Sequence, residues 1–230
     1  MILAAGEGTR LRPLTNDRPK PMIRIGGTPI LEHNLRLLVA AGVRQVAINL
    51  HHRPEVISEY FGDGSRFGVE ITYSHEERLL GTAGAVKKMA TFFDSDFFLV
   101  YGDNLSTIDL RALAHQHDAK KSVLTMAVIE REDPAESGIV ELDKDDRIVR
   151  FVEKPAPGNV FSRFVNAGYL VVSAPVLSMI PDDTPSDFGR DVFVRLVGSG
   201  ALVYAYRMSE GLWWIDSPSD HERTQRTFAR

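Results

Sequence analysis

The chain contains no cysteine among its 230 residues. Disulfide bridges, thiolate zinc sites and thiol nucleophiles are thereby excluded, and a reducing compartment is permitted. A strong basic excess is also missing, since 27 Lys and Arg stand against 31 Asp and Glu for a formal charge of −4. No nucleic-acid partner is expected on that balance, and any anionic ligand must be held by a local cluster. Nowhere is there an apolar stretch of about 18 residues, the length that spans a bilayer. The opening run Met1 to Ala5 turns at Gly6, too soon for the apolar region of a signal peptide. A soluble, cytoplasmic protein without a membrane partner is the expectation. No internal repeat, low-complexity tract or Gly/Ser- or Pro-rich linker interrupts the chain, so one domain over residues 1–230 is the simplest account, and self-association is left open.

What is present is 43% hydrophobic residues, enough for a buried core, arranged in an alternation typical of βαβ units. Short apolar runs are each followed by an amphipathic stretch and punctuated by Gly or Pro. Strands are predicted at Ile2 to Ala5, Gln45 to Leu50, Val69 to Tyr73 and Phe97 to Val100, and helices at Ile30 to Ala41 with Gly42 as cap, Val56 to Phe61, Ala83 to Phe93 and Leu110 to His117. A mainly parallel sheet with helices on both faces follows. From Ser122 the pattern turns β-rich, with Val123 to Ile129, Gly138 to Leu142, Ile148 to Val152 and Phe164 to Val172 reading as antiparallel additions. A helix over Ser186 to Val197, a strand over Leu202 to Arg207 and a closing helix over Ser219 to Phe228, capped by Ser217 or Ser219, complete the chain.

The most informative string is Leu3-Ala4-Ala5-Gly6-Glu7-Gly8-Thr9-Arg10-Leu11-Arg12-Pro13, directly after the first strand. Small residues there let backbone N–H groups approach a polyphosphate, and Arg10 adds charge. Arg18-Pro19-Lys20-Pro21 then presents a lysine between two prolines that restrict its backbone. The string is neither a P-loop, which needs Gly-Lys-Ser/Thr opening a helix, nor a dinucleotide fingerprint, which needs a third glycine.

Leu3 to Pro21 resembles the signature loop of the sugar-phosphate nucleotidyltransferases, the GT-A-like family that makes nucleotide sugars. Further family motifs follow in order: Leu80-Gly81-Thr82-Ala83-Gly84-Ala85, Gly102-Asp103, Ser137-Gly138-Ile139-Val140, Val152-Glu153-Lys154-Pro155 and Val165-Asn166-Ala167-Gly168. The likeness spans nearly the whole chain. It implies a single-domain, Rossmann-like (GT-A-like) α/β fold, with about 1–120 serving the NTP and about 121–230, including a β-rich subregion, serving the sugar phosphate. It also implies a reaction in which an NTP and a sugar 1-phosphate give an NDP-sugar and pyrophosphate, with Mg²⁺ as cofactor.

The resemblance assigns residues as well. Ala4, Ala5, Gly6, Gly8, Thr9, Glu77, Gly81 and Thr82 would bind the nucleotide; Gly138, Glu153, Lys154 and Asn166 the sugar phosphate. Arg10, Lys20 and Asp103 would be catalytic, with Asp103 as a hard oxygen ligand for Mg²⁺. His51, His52 and His75 read as loop or polar-face residues rather than metal ligands. The C-terminal segment departs from the family's Trp-x-Asp-x-Gly-Thr-Pro, reading Trp213-Trp214-Ile215-Asp216-Ser217-Pro218. If the missing residues fall after Asp216, that aspartate is the second metal ligand; in an ungapped alignment Trp214 takes its place. Asp216 is favoured, because Mg²⁺ beside a triphosphate is better held by more than one carboxylate.

Glu76-Glu77-Arg78-Leu79-Leu80-Gly81 resembles guanylyltransferases acting on mannose or heptose 1-phosphate, since a carboxylate there could accept from guanine N1–H and N2–H₂. A uridylyltransferase on N-acetylmuramate 1-phosphate, a cytidylyltransferase and a non-catalytic sugar-nucleotide sensor are the other readings.

Overall fold

The computed structural model describes residues 1–228. In chain order the elements are β1 (Ile2–Leu3), β2 (Arg24–Ile25), β3 (Thr28–Pro29), α1 (Ile30–Ala40), β4 (Gln45–Leu50), α2 (Pro54–Phe61), β5 (Glu70–His75), α3 (Gly81–Lys88), β6 (Phe97–Tyr101), β7 (Asn104–Ser106), α4 (Leu110–Lys120), β8 (Leu124–Glu130), β9 (Gly138–Leu142), β10 (Ile148–Glu153), β11 (Phe164–Val172), α5 (Val194–Gly198), β12 (Val203–Arg207), β13 (Leu212–Trp214) and α6 (Pro218–Phe228). The architecture is mixed α/β with a mainly parallel central sheet. None of the described helices is long and apolar enough to cross a membrane. The chain forms two compact units that interleave in sequence. One comprises Met1–Leu79, Val100–Leu110 and the described residues from Glu210 on; the other comprises Leu80–Leu99 and Arg111–Ser209.

In the first unit β1 lies parallel between β4 and the end of β6, and β4 lies parallel to β5. All of β4 after its first residue is buried, as a central parallel strand covered on both faces requires. Helix α1 buries Ile30, Leu31, Leu35 and Leu38. It ends in a Schellman closure, with Gly42 N–H on the Val39 carbonyl, Val43 N–H on that of Leu38, and Gly42 at φ 100°. A satellite core of Leu11, Ile23, Ile25, Ile30, Leu105 and Ile215, flanked by Leu14, Trp213 and Phe228, gathers five separate chain segments. The antiparallel ribbon of β7 and β13, in register Trp214 to Asn104, carries two of these residues into place.

In the second unit β8 runs antiparallel to β11 and parallel to β12, while β9 pairs antiparallel with β10 and β11. The expected antiparallel strands are present at nearly the expected bounds. His117 of α4, almost wholly buried, ties this unit together. Its Nδ1 lies 2.9 Å from Thr125 Oγ1, and its Nε2 lies 3.0 Å from Asp96 Oδ2 and 3.3 Å from Ser173 Oγ.

Several elements differ from the sequence expectation, each for a local reason. The first strand is only Ile2–Leu3, because the Ala4 N–H leaves the ladder for the Asn49 side chain. The helix expected over Ala83 to Phe93 is α3 followed by a 3₁₀ turn at Ala90–Phe92. The helix expected over Ser186 to Val197 is a π-helical turn, Phe188–Phe193, leading into α5. There the Ser186 carbonyl accepts the N–H groups of Ala83 and Gly84. The hairpin of β2 and β3 and the ribbon of β7 and β13, two or three residues per strand, are too short for periodicity to announce.

His117→Ala leaves the buried Thr125, the half-buried Ser173 and the exposed Asp96 without their shared contact. It is expected to cost about 2 kcal/mol and to lower Tm by roughly 4–8 °C for a chain of this size, read by thermal unfolding monitored by circular dichroism.

Candidate functional site

The first unit builds a charged cluster from residues far apart in sequence. Lys20, in a 3₁₀ turn between its two prolines, has a nearly inaccessible side chain, and its Nζ donates to Asp103 Oδ2 and to Asp216 Oδ1, each at 2.8 Å. The mostly exposed Arg10 reaches the same Asp216 oxygen at 3.2 Å. Burial acts to lower the Lys20 pKa, but the two carboxylates outweigh it and hold the ammonium above its ordinary value. Asp103 follows β6 directly, at the carboxyl end of a parallel strand where α/β sheets place ligands. Asp216 is held at the head of α6: its N–H donates to Asp220 Oδ2, and Ser217 Oγ caps the helix by accepting the Asp220 N–H.

The loop from Ala4 to Arg10 wraps this cluster. Gly8 has φ 62°, and a Cβ there would lie 2.8 Å from Lys20 Cβ and 3.1 Å from Thr15 Cγ2, so only glycine fits. Thr15 Oγ1 donates to the Gly8 carbonyl, and Thr9 opens the 3₁₀ turn that carries Arg10. Gly6 is different. It is exposed, its φ is not left-handed, and a Cβ there would meet nothing within 4 Å. No packing among the described residues requires glycine at that position, whereas a ligand lying against the backbone would.

Beside this loop the buried residues Ala4, Asn49 and Glu76 form a line. The Ala4 N–H donates to Asn49 Oδ1 at 2.8 Å, and Asn49 Nδ2 donates to Glu76 Oε1 at 2.7 Å. His51 Nδ1 donates to the Glu76 carbonyl. Glu77, which the sequence assigned to the nucleotide, is exposed. Asn49 was not singled out in the sequence; its signal is an amide within the apolar string Val46-Ala47-Ile48-Asn49-Leu50.

The second unit gathers the remaining candidates. Gly81 has φ 74°, and a Cβ there would run into the Ser186 carbonyl. Both the N–H and the Oγ1 of Thr82 donate to Asp187 Oδ1, at 3.1 and 3.2 Å, and Thr82 Oγ1 accepts the Phe188 N–H. Asp187 carries no sequence signal of its own. The Glu153 carboxylate packs over Gly138 and Gly189, filling the space their side chains would need. Among the described residues it has neither a hydrogen-bond partner nor an ion pair. Burial raises its pKa, against the opposing pull of Lys154 and Arg190. Lys154 is exposed with φ 45°, a left-handed conformation that is uncommon outside glycine and tends to occur at functional positions. Asn166 Oδ1 accepts the Gly168 N–H at the irregularity in β11.

The description Nucleotidyl transferase belongs to the family model that matches residues 1–217. The chain belongs to the nucleotidyl transferase family. Among its relatives, a UTP–glucose-1-phosphate uridylyltransferase of Synechocystis is 38% identical over 94% of this chain and 59% of its own length. A mannose-1-phosphate guanylyltransferase of Mycobacterium tuberculosis is 35% identical over 100% of this chain and 64% of its own. The chain thus spans about three-fifths of the length of these curated relatives. Of the solved structures, HddC from Yersinia pseudotuberculosis superposes with a TM-score of 0.83 at 25% identity, covering 99% of this chain and 97% of that one, and has also been solved complexed with GMP-PN. A putative glucose-1-phosphate thymidylyltransferase from Bacillus anthracis shares the fold, with a TM-score of 0.88 at 21% identity over 99% and 94% of the two chains.

Glu153 is a carboxylate kept partly desolvated, with no hydrogen bond or ion pair among the described residues. Its folded pKa lies above the unfolded value, so the associated stability is present below the ordinary carboxylate range and is lost as pH rises through the raised pKa. Glu153→Gln is therefore expected to raise Tm at pH 7 by on the order of 2 °C, with the gain shrinking as pH falls through the raised pKa and lost once the ordinary carboxylate range is reached, measured by thermal melts across pH.

Proposed function

We propose that this chain transfers the nucleotidyl group of an NTP to a sugar 1-phosphate and releases pyrophosphate. The observation that carries the reading is the buried Lys20 ammonium shared by Asp103 and Asp216, with Arg10 beside it, at the carboxyl edge of a parallel sheet. In such a reaction an oxygen of the sugar phosphate attacks the α-phosphorus, the bond from that phosphorus to the bridging β-oxygen breaks, and pyrophosphate leaves. The nucleophile is already anionic, so no general base is needed and the protein has to supply alignment and charge neutralisation. Lys20 neutralises the α-phosphate, whose approach its fixed ammonium anticipates. Arg10, exposed and extended from its 3₁₀ turn, takes the β- and γ-phosphates. Backbone N–H groups of Ala5 to Thr9 line the triphosphate, with Gly6 giving close approach. Gly81 and Thr82 contribute to the nucleotide subsite; Gly138, Glu153, Lys154 and Asn166 form the sugar-phosphate subsite, Glu153 accepting from sugar hydroxyls.

Among the described residues no three carboxylate or imidazole groups converge. Asp103 and Asp216, however, already converge on one cation, and a Mg²⁺ bound to polyphosphate needs only one or two protein carboxylates, so this pair fits it. Asp103 and Asp216 would hold the ion, which would supply charge neutralisation to the phosphates.

For the base, the buried Glu76 offers a carboxylate that suits the donor edge of guanine, and GTP with mannose 1-phosphate or heptose 1-phosphate is the leading pair. The guanylyltransferase relative and the GMP-PN complex of HddC support it. UTP with glucose 1-phosphate is the second reading, favoured by the 38% identity to the Synechocystis protein, since uracil N3–H also donates to a carboxylate. The sensor reading is disfavoured by the convergence of Lys20, Asp103 and Asp216.

The test is pyrophosphate release over a matrix of GTP, UTP, CTP, dTTP and ATP against mannose, heptose, glucose and N-acetylmuramate 1-phosphates. Turnover with one NTP is expected, falling on the order of 10²–10³-fold in Asp103→Ala and in Lys20→Met. Release with no pair, or release undiminished in Asp103→Ala, would overturn the proposal.

A further inference from the structure

The line from Ala4 through Asn49 to Glu76 lies within one unit and joins the phosphate loop, β4 and the end of β5 through buried polar groups. Asn49 is 4% exposed, on the central strand β4, flanked in sequence by apolar residues. A buried amide in a strand core is stabilising only when its hydrogen bonds are made, and a leucine there would leave the buried Ala4 N–H and Glu76 carboxylate without this partner. Its orientation is fixed: the Ala4 N–H can only donate, so Oδ1 faces it and Nδ2 faces Glu76. Asn49 therefore pairs on one side with the first backbone donor of the Ala4 to Arg10 loop and on the other with a carboxylate just beyond β5. Ser74 stands opposite Asn49 in the β4–β5 register, and its buried Oγ has no hydrogen-bond partner among the described residues. A second polar group thus sits in the same stretch of sheet without a structural reason for being there.

We infer that Asn49 is a positioning residue of the nucleotide subsite, holding the Glu76 carboxylate and the start of the phosphate loop in one hydrogen-bonded line so that base and triphosphate are bound in a fixed register. The inference rests on the nucleotidyl-transfer reading. It makes the NTP, and not the sugar phosphate, the substrate that feels residue 49. Thermodynamically it makes Glu76 and the phosphate loop one binding element, so that loosening either end weakens both.

The experiment compares Asn49→Ala, Asn49→Asp and the double variant Asn49→Asp with Glu76→Gln. Asn49→Asp keeps an oxygen for the Ala4 N–H but sets a second carboxylate against Glu76. Adding Glu76→Gln restores one donor and one acceptor with their places exchanged, at the charge of the wild type. For Asn49→Ala and Asn49→Asp, KM for the preferred NTP is expected to rise on the order of tenfold, with KM for the sugar 1-phosphate unchanged. The double variant is expected to regain the Tm of the wild type but not its preference among the five NTPs, because position 76 no longer carries a carboxylate. A rise in both KM values alike, or recovery of NTP affinity and preference together with Tm, would reduce Asn49 to a structural contact and overturn the inference while leaving the activity intact. Wild-type protein that turns over no NTP yet binds GTP by calorimetry, with tenfold weaker binding in Asn49→Ala, would remove the activity and keep Asn49 in its role. Absence of both turnover and GTP binding would remove both.

Discussion

An ammonium group taken out of water is the constraint on which the first unit turns. Lys20 is 6% exposed, and a charge so buried persists only if its neighbours return what hydration gave. Asp103 and Asp216 do so, but they lie 113 positions apart in sequence, and neither could hold the lysine alone as well as the pair does. The satellite core explains how they are brought there. Leu11 adjoins Arg10, Ile23 follows Lys20 by three residues, Leu105 follows Asp103 by two, and Ile215 adjoins Asp216. Each charged group is thus tethered within a few bonds of an apolar side chain that must be buried with the others. The hydrophobic effect, which has no directionality of its own, assembles a directional ion cluster because its anchors are next to the charges.

The same lysine dictates the loop around it. Gly8 is glycine because the loop packs onto Lys20 Cβ, so part of the signature string is a consequence of the buried cation and not a separate feature. Gly6, three residues after β1, has no such internal reason. The two glycines look alike in the sequence, and physical reading of the structure separates them: one is imposed by packing, while the other leaves backbone exposed to whatever binds.

The long elements were legible because their patterns are long. β4 and β9 run as expected, and α1 ends one residue short of its expected bound, since continuous burial and helical periodicity over several residues admit few alternatives. The string Ala4 to Pro21 was legible as a loop through its Gly and Pro residues, and it carries Lys20 to Asp103 and Asp216. The ribbon of β7 and β13 was not, because three-residue strands carry no period. Yet its Trp214 to Asn104 register brings Asp216 back toward Asp103, which is why the altered segment after Trp213 could be read two ways from sequence and why its geometry had to come from the fold. Trp213 itself packs against Phe228 with ring centroids 5.0 Å apart, so this member of the tryptophan pair belongs to the core. The π-helical turn was likewise hidden. Its backbone is set by bonds from Ser186 and Asp187 to the head of α3, a hundred positions away in sequence.

Among the described residues, polar burial without full compensation occurs at Glu153, at Ser74 and, in α6, at Thr224, and of these only Glu153 was assigned to a substrate. Glu153 is held above its ordinary pKa with no partner among the described residues. Ser74 has a buried hydroxyl with no hydrogen-bond partner among the described residues. Asn49 is paired on both sides, and an aliphatic residue there would leave the Ala4 N–H and the Glu76 carboxylate without this contact. A fold selected for stability alone would remove such groups, since the gains from replacing them are cheap to reach. By contrast His117, as deeply buried, has three oxygen neighbours in its own unit and is explained by the fold. A buried polar side chain whose needs its own unit meets is explained by the fold, as His117 is; Glu153, left without a hydrogen bond among the described residues, is the one that a sugar hydroxyl would complete in the proposed reaction.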